Sequence, residues 1–163
     1  MGVSGAGKTT VGAALAEHLG VEFLDADEFH PPENVAKMSA AIPLTDTDRW
    51  PWLERLNAEL AARQSAGKGA VLACSALKEG YRMRLVKDLA GARLVHLRGS
   101  IEYIRERMQT RKHKYMPAAL LDSQFATLEP PPDAIEVDAA LGVTEAVEEI
   151  AAGLLRKGRA RRP

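Results

Sequence analysis

Gly2-Val3-Ser4-Gly5-Ala6-Gly7-Lys8-Thr9 satisfies the full G-x-x-x-x-G-K-[ST] pattern, and a run of helical periodicity follows it directly. Glycines at positions 2, 5 and 7 let the backbone fold around an anion so that successive N–H groups point inward. A helix beginning at Lys8 adds the positive end of its dipole at the same place. The expectation is a phosphate-binding loop: Lys8 reaches the β- and γ-phosphates of ATP, the Thr9 hydroxyl ligates Mg²⁺, and Thr10 lies on the same helical turn. The apolar pattern around it, alternating short β-like runs with longer helical ones, gives an α/β domain with a parallel sheet.

Beyond the loop, Val11, Leu15 and Leu19 mark one helical face, and Gly20 ends that helix. Val21–Asp25, Ala70–Cys74, Arg93–Leu97 and Ala134–Asp138 are short apolar runs that read as strands. Leu53, Leu56 and Leu60 predict a helix, with Asp48 as its N-cap and Pro51 in its first turn. Ser100 caps a helix carrying Ile101, Ile104 and Met108 inward. Val143, Val147, Ile150 and Leu154 stripe the last helix, capped by Thr144. Four strands are legible, yet the one that should lead into the phosphate loop at the middle of the sheet is not: Met1 alone precedes Gly2. Losing a central strand exposes the edges of both its neighbours. The expectation is therefore a natural polypeptide that begins several residues upstream of Met1.

A chain of 163 residues has room for one domain with a real core, and no linker or repeat divides it. Residues 1–155 are read as that domain and 156–163 as a basic, solvated tail. The overall charge balance hides this asymmetry: the tail holds five of the 22 cations and no acid, leaving 17 cations against 22 acids in the body. A body this acidic argues against nucleic acid as a partner. No apolar run approaches the ~20 residues that span a bilayer, and Cys74, the one cysteine, cannot form an intramolecular disulfide. A cytoplasmic enzyme is expected.

The guanine-specifying N-K-x-D is absent, and the second legible strand ends in Cys74-Ser75 rather than Asp-Glu. Carboxylates stand instead just past the strand after the loop, in Leu24-Asp25-Ala26-Asp27. Ligands gather at the C-terminal ends of strands in an open parallel sheet, so Asp25 and Asp27 should face the γ-phosphate. Transfer to an alcohol needs an acceptor held in line and a carboxylate to take its proton, the role expected of Asp27, with Asp25 helping to hold Mg²⁺. Two solvated loop acids are the alternative. His18, His96 and His113 lack metal-binding spacing; His96 reads as a core histidine, Cys74 as packing, and Trp50 and Trp52 as helix anchors.

The block from Leu24 through His30-Pro-Pro-Glu-Asn34-Val-Ala-Lys37-Met38 resembles the bacterial-type gluconokinase family, as do Asp46-x-Asp48-Arg49-x-Pro51-Trp52-Leu53 and Cys74-Ser-Ala-Leu-Lys78. Tyr81-Arg82 and Gln124-Phe125-x-Thr127-Leu128 continue the likeness, which runs in order over about four fifths of the chain. The resemblance implies ATP-dependent phosphorylation of D-gluconate at its 6-hydroxyl, feeding the pentose phosphate pathway. It also implies the fold of nucleoside-monophosphate kinases, a three-layer sandwich around a five-stranded parallel sheet, often homodimeric. A mobile lid at about 111–123 would close over ATP. Arg107 and Arg111, one turn apart on one helix face, are then the nucleotide-side cations, and Arg111 the clamp on the transferring phosphate; Lys112 and Lys114 are weaker candidates. Ala139–Gly142 should pass near the adenine. An anionic, hydroxyl-rich acceptor calls for cations and hydrogen-bonding side chains. Arg49, Lys78 and Arg82 are the candidate cations, with Lys78 and Arg82 four apart on one helical face; His30, Asn34, Lys37 and Gln124 are candidates either for the hydroxyls or for holding the residues that touch them. A shikimate or adenylylsulfate kinase is the nearest rival; a nucleotide-binding regulator without catalysis is the more distant one.

Overall fold

Strands and helices alternate as the apolar periodicity predicts. The structure, a computed structural model, describes residues 1–40, 42–110 and 119–159. After the phosphate loop come α1 (Lys8–Leu19), β1 (Glu22–Asp25), a single 3₁₀ turn (Ala26–Phe29), α2 (Pro32–Ser39) and α3 (Asp46–Ser65). β2 (Ala70–Ala73), α4 (Glu79–Leu85), β3 (Val95–Arg98), α5 (Ile101–Thr110), α6 (Ala119–Thr127), β4 (Ile135–Asp138) and α7 (Val143–Arg159) complete the order. Gly20 closes α1 at φ 65°, its N–H donating to Ala16 O, as its position in the sequence foretold.

Several boundaries differ from expectation for identifiable reasons. Thr45, not Asp48, caps α3: its hydroxyl accepts the Asp48 N–H at 3.3 Å while the Asp48 carboxylate accepts the Thr45 N–H at 2.9 Å, a reciprocal capping box. That start one turn earlier puts Pro51 in the second turn, on the exposed face. α7 begins ahead of Thr144, with the Gly142 N–H donating to Glu145 Oε2. It runs to Arg159, so the first residues of the basic segment read as a tail are helical. Ser100 does cap α5, accepting the Tyr103 N–H at 3.2 Å. Residues 119–123 of the expected lid form the opening of α6, where Leu121 is fully buried.

The described strands form two parallel pairs rather than one five-stranded sheet. Glu22–Asp25 pairs with Ala70–Ala73, and Val95–Arg98 with Ile135–Asp138. Met1 and Gly2 lie between the pairs. The Met1 ammonium donates to Val95 O and Met1 O accepts from Leu97 N–H at 3.0 Å, the parallel-ladder pattern around His96. Gly2 N–H donates to Ser75 O on the other side, at 3.3 Å. Burial, and then the charge of Lys8, push the Met1 amine down to about 5. Met1 also packs against both hydrophobic cores, one under α1, α5 and α7 and one between α3 and α4.

Beyond Met1 the space between β2 and β3 is an apolar groove of about 580 Å³, lined by Leu15, Val71, Leu72, Val95, Leu97 and Ile150 among others. A strand laid there would gain a ladder on both edges. Five β-branched residues appended ahead of Met1 should therefore raise the melting midpoint. Burying each contributes about 1.5–3 kcal/mol against roughly 1–2 kcal/mol of backbone ordering. Central values leave a net gain of about 4 kcal/mol over the five residues, and at about 2–4 °C per kcal/mol for a domain of this size that is a rise of roughly 8–15 °C. Calorimetry on the extended chain, with a five-residue Asp/Ser extension as control, checks this; equal midpoints for the two would show that the groove takes no strand.

Candidate active site

The phosphate loop leaves Met1 and turns into α1 through Gly7, whose φ of 97° is left-handed. A Cβ there would stand 3.0 Å from Arg107 Nη2, and one on Gly5 (φ 82°) 2.8 Å from Met108 Cγ. Backbone conformation and α5 packing both demand glycine. Lys8 folds back to donate from Nζ to Val3 O at 3.0 Å. Burial pulls its ammonium below the usual lysine range, with Asp27 the strongest opposing charge.

Thr9 Oγ1 donates to Asp25 Oδ2 at 2.9 Å, and Asp25 Oδ1 accepts the Asp27 N–H at 3.1 Å. Asp25 ends β1 and caps the 3₁₀ turn, so its orientation follows from the strand-to-turn transition. A hydroxyl beside a carboxylate, both hard oxygen donors, suits Mg²⁺, which takes one or two carboxylates and completes its shell with water and phosphate. Among the described residues no group of three or more His, Cys, Asp or Glu side chains offers a denser metal cage. The Asp27 side chain reaches solvent, yet surrounding protein and then the Asp25 charge raise its carboxyl above the usual aspartate range; Lys8 opposes them. Solvent access keeps that effect modest.

After β1, the 3₁₀ turn, α2 and the start of α3 pack together into one wall. The His30 ring stacks on Trp52, centroids 4.2 Å apart and planes 13° off parallel, while Trp52 Nε1 donates to Ala26 O at 2.8 Å. Asn34, buried, donates from Nδ2 to Asp48 O at 2.9 Å and lies 3.4 Å from His30 Nδ1. That contact makes Nδ1 the acceptor and leaves the His30 proton on Nε2. Burial, then the Arg49 charge, hold the imidazole neutral with its acidity near 4.

The candidate acceptor cations separate clearly. Lys37 pairs with Asp48 at 2.7 Å, which helps hold the Asp48 carboxyl at about 2. Lys78 holds both Asp46 oxygens, at 2.9 and 3.0 Å, and the Tyr81 hydroxyl donates to the same carboxylate. Arg82, read from spacing as sharing a face with Lys78, instead turns into the protein and donates to Ala76 O and Leu77 O at 3.2 and 2.8 Å. The cause is local: Ala76 sits at φ 41°, and the strained turn after β2 directs buried carbonyls at the arginine. Arg49 has no carboxylate at ion-pair distance among the described residues; its guanidinium stands 5.7 Å from the Tyr81 ring centroid.

On the α5 side, Arg107 donates to Ala139 O at 2.9 Å and to Tyr103 Oη at 3.3 Å, and Tyr103 donates to Ala139 O as well. Arg107 thus bridges the glycine loop and the turn after β4. Gln124 holds Ser4 of the phosphate loop: its Oε1 accepts the Ser4 N–H at 2.7 Å and its Nε2 donates to Ser4 Oγ at 3.2 Å. Arg111, Lys112, His113 and Lys114 lie outside the described residues. His96 is buried in β3 with Nδ1 3.6 Å from Glu136, and Cys74 is buried with its thiol pushed up to about 11 by desolvation. Sequence reading passed over Asp46 and Tyr103. Tyr103 stood four residues before Arg107, a legible helical spacing; Asp46 gains its role only when α4 packs on α3.

Residues 4–128 match the family model described as Shikimate kinase. The chain is similar to a probable gluconokinase of Xenopus tropicalis, 46% identical over 96% of this chain and 92% of that protein. It is 51% identical to a gluconokinase of Gluconobacter oxydans over 82% of this chain and 75% of that one. The crystal structure of a gluconokinase from Sinorhizobium meliloti 1021 superposes with a TM-score of 0.88 at 45% identity, covering 98% of this chain and 91% of the other.

Proposed function

The chain belongs to the gluconokinase family of P-loop kinases, and we propose on that footing that it transfers the γ-phosphate of ATP to the 6-hydroxyl of D-gluconate. The observation that carries the acceptor half is Arg49, a cation with no carboxylate at ion-pair distance among the described residues, whose charge acts on a neutral His30. A guanidinium fork matches the gluconate carboxylate, while His30 Nε2–H and Lys37 meet its hydroxyls. Lys78, tethered by Asp46, borders the same wall.

Each residue then has a task. Lys8 leaves Val3 O for the β- and γ-phosphate oxygens, and the loop amides from Gly2 to Thr9, with Thr10 beyond, cradle the rest. Asp27 takes the proton of the 6-hydroxyl as its oxygen forms the bond to phosphorus and ADP leaves. Thr9 and Asp25 would hold Mg²⁺, which when bound neutralises charge on the transferring phosphate. Arg107 lies along the nucleotide. Arg111 takes the role of clamp on the γ-phosphate that the family resemblance implies.

The finer reading is a single domain over residues 1–155 with the five-stranded parallel sheet that the family resemblance implies. Homodimerisation and a cytoplasmic setting are supported by the family resemblance and the lone buried cysteine. ADP release, coupled to a reporter and measured over gluconate, other aldonates, glucose and shikimate, tests the reading. Turnover on gluconate with little on shikimate is expected; turnover on shikimate alone overturns it.

A further inference from the structure

Gln124 and Glu129 touch two loops that the chemistry uses, without belonging to either. Gln124, on α6, holds Ser4 through both its amide atoms, at 2.7 and 3.2 Å. Five residues on, Glu129 N–H donates to Leu77 O at 3.0 Å and the Glu129 carboxylate accepts the Glu79 N–H. Lys78 lies between those two anchor points and supplies no capping bond for α4, so Glu129 caps that helix from outside. Leu121, fully buried, with Phe125 and Leu128 beside it, roots the segment in the core that also contains Val3, Ala6 and Leu77.

From this we infer that residues 124–129 form a strap between the phosphate loop and the acceptor loop, and that Gln124 is a positioning residue holding Ser4, and with it the loop, in phosphate-binding shape. A glycine-rich loop has many conformations to lose when it binds an anion. Two side-chain bonds to its one hydroxyl residue ahead of Thr9 select a shape before ATP arrives, and preorganised donors are what phosphoryl transfer exploits. Gln124 acts through Ser4, inside the phosphate loop. The acceptor half of the strap rests on the gluconokinase reading; the nucleotide half does not.

The test has two arms. In the unmutated protein without nucleotide, the Ser4 amide should exchange at least about tenfold slower than a free amide, since Gln124 occupies it. Gln124→Met, which keeps length and loses both bonds, should weaken calorimetric binding of a nonhydrolysable ATP analogue roughly five- to twentyfold. It should lower kcat by about ten- to a hundredfold, with KM for gluconate within about twofold. Gln124→Glu keeps an acceptor for the Ser4 N–H and lets the Ser4 hydroxyl donate, so its kcat should exceed that of the Met variant. Free exchange at Ser4 overturns the inference whether or not the variants fold. So does a rise in KM for gluconate with nucleotide affinity unchanged, or equal activity in all three proteins. Were gluconate not the acceptor, the unmutated enzyme would show no gluconate turnover while the exchange and nucleotide-binding results stood.

Discussion

Replacing Asp27 by asparagine is expected to lower kcat by roughly a hundred- to ten-thousandfold while ATP affinity stays within about twofold. Asparagine keeps the shape and cannot accept the proton. The Asp27 carboxyl is raised above the usual aspartate range by surrounding protein and by Asp25. As base it is lost when pH falls through that raised value, so the acid limb of the kcat/KM profile should lie above the ordinary aspartate range and disappear in the variant. The stability sign runs the other way. A carboxyl whose folded pKa is raised carries, at neutral pH, a charge the fold disfavours, so Asp27→Asn should melt no lower than the parent. Pre-steady-state measurement of phosphoryl transfer alongside nucleotide titration checks both halves. Loss of ATP affinity equal to the loss in kcat would assign Asp27 to metal binding or to structure.

Arg49→Ala should raise KM for gluconate by about ten- to a hundredfold and leave KM for ATP nearly unchanged. Charge-assisted bonds of this kind contribute roughly 1.5–3 kcal/mol, and each 1.4 kcal/mol is about tenfold in affinity. The guanidinium stands at the fourth position of α3, where a cation opposes the helix dipole, and no ion pair compensates it among the described residues. Its removal should therefore cost little stability. His30 supplies an internal control: without the neighbouring charge, its imidazole should titrate closer to the ordinary histidine range, which NMR reads directly. A variant that fails to fold would mark Arg49 as structural.

Much of this was legible before any coordinates, and the legible part shares a character. The phosphate loop, Asp25 with Thr9, the Gly20 stop and the Ser100 cap are local: each needs only neighbours in the chain and the geometry of one turn. What escaped depends on geometry that residue spacing alone does not state, whether a backbone turn nearby or packing between distant elements. Lys78 and Arg82, four apart, read as partners on one face. The φ of Ala76 and the carbonyls beside it turned Arg82 inward instead. Gln124 stood out by its motif, but its partner did not: α6 packing aims it 120 residues back at Ser4. Thr45 displaced Asp48 as cap because the capping box needs both residues, and spacing alone offers either.

The central claim, transfer to the 6-hydroxyl of gluconate, is met most directly by phosphorus NMR of the product formed from ATP and D-gluconate. Transfer to the terminal CH₂–OH predicts a phosphomonoester signal split by two equivalent-carbon protons, appearing in step with ADP. A signal split by a single proton would put the phosphate on a secondary hydroxyl, and no ester signal with any aldonate would contradict the account altogether.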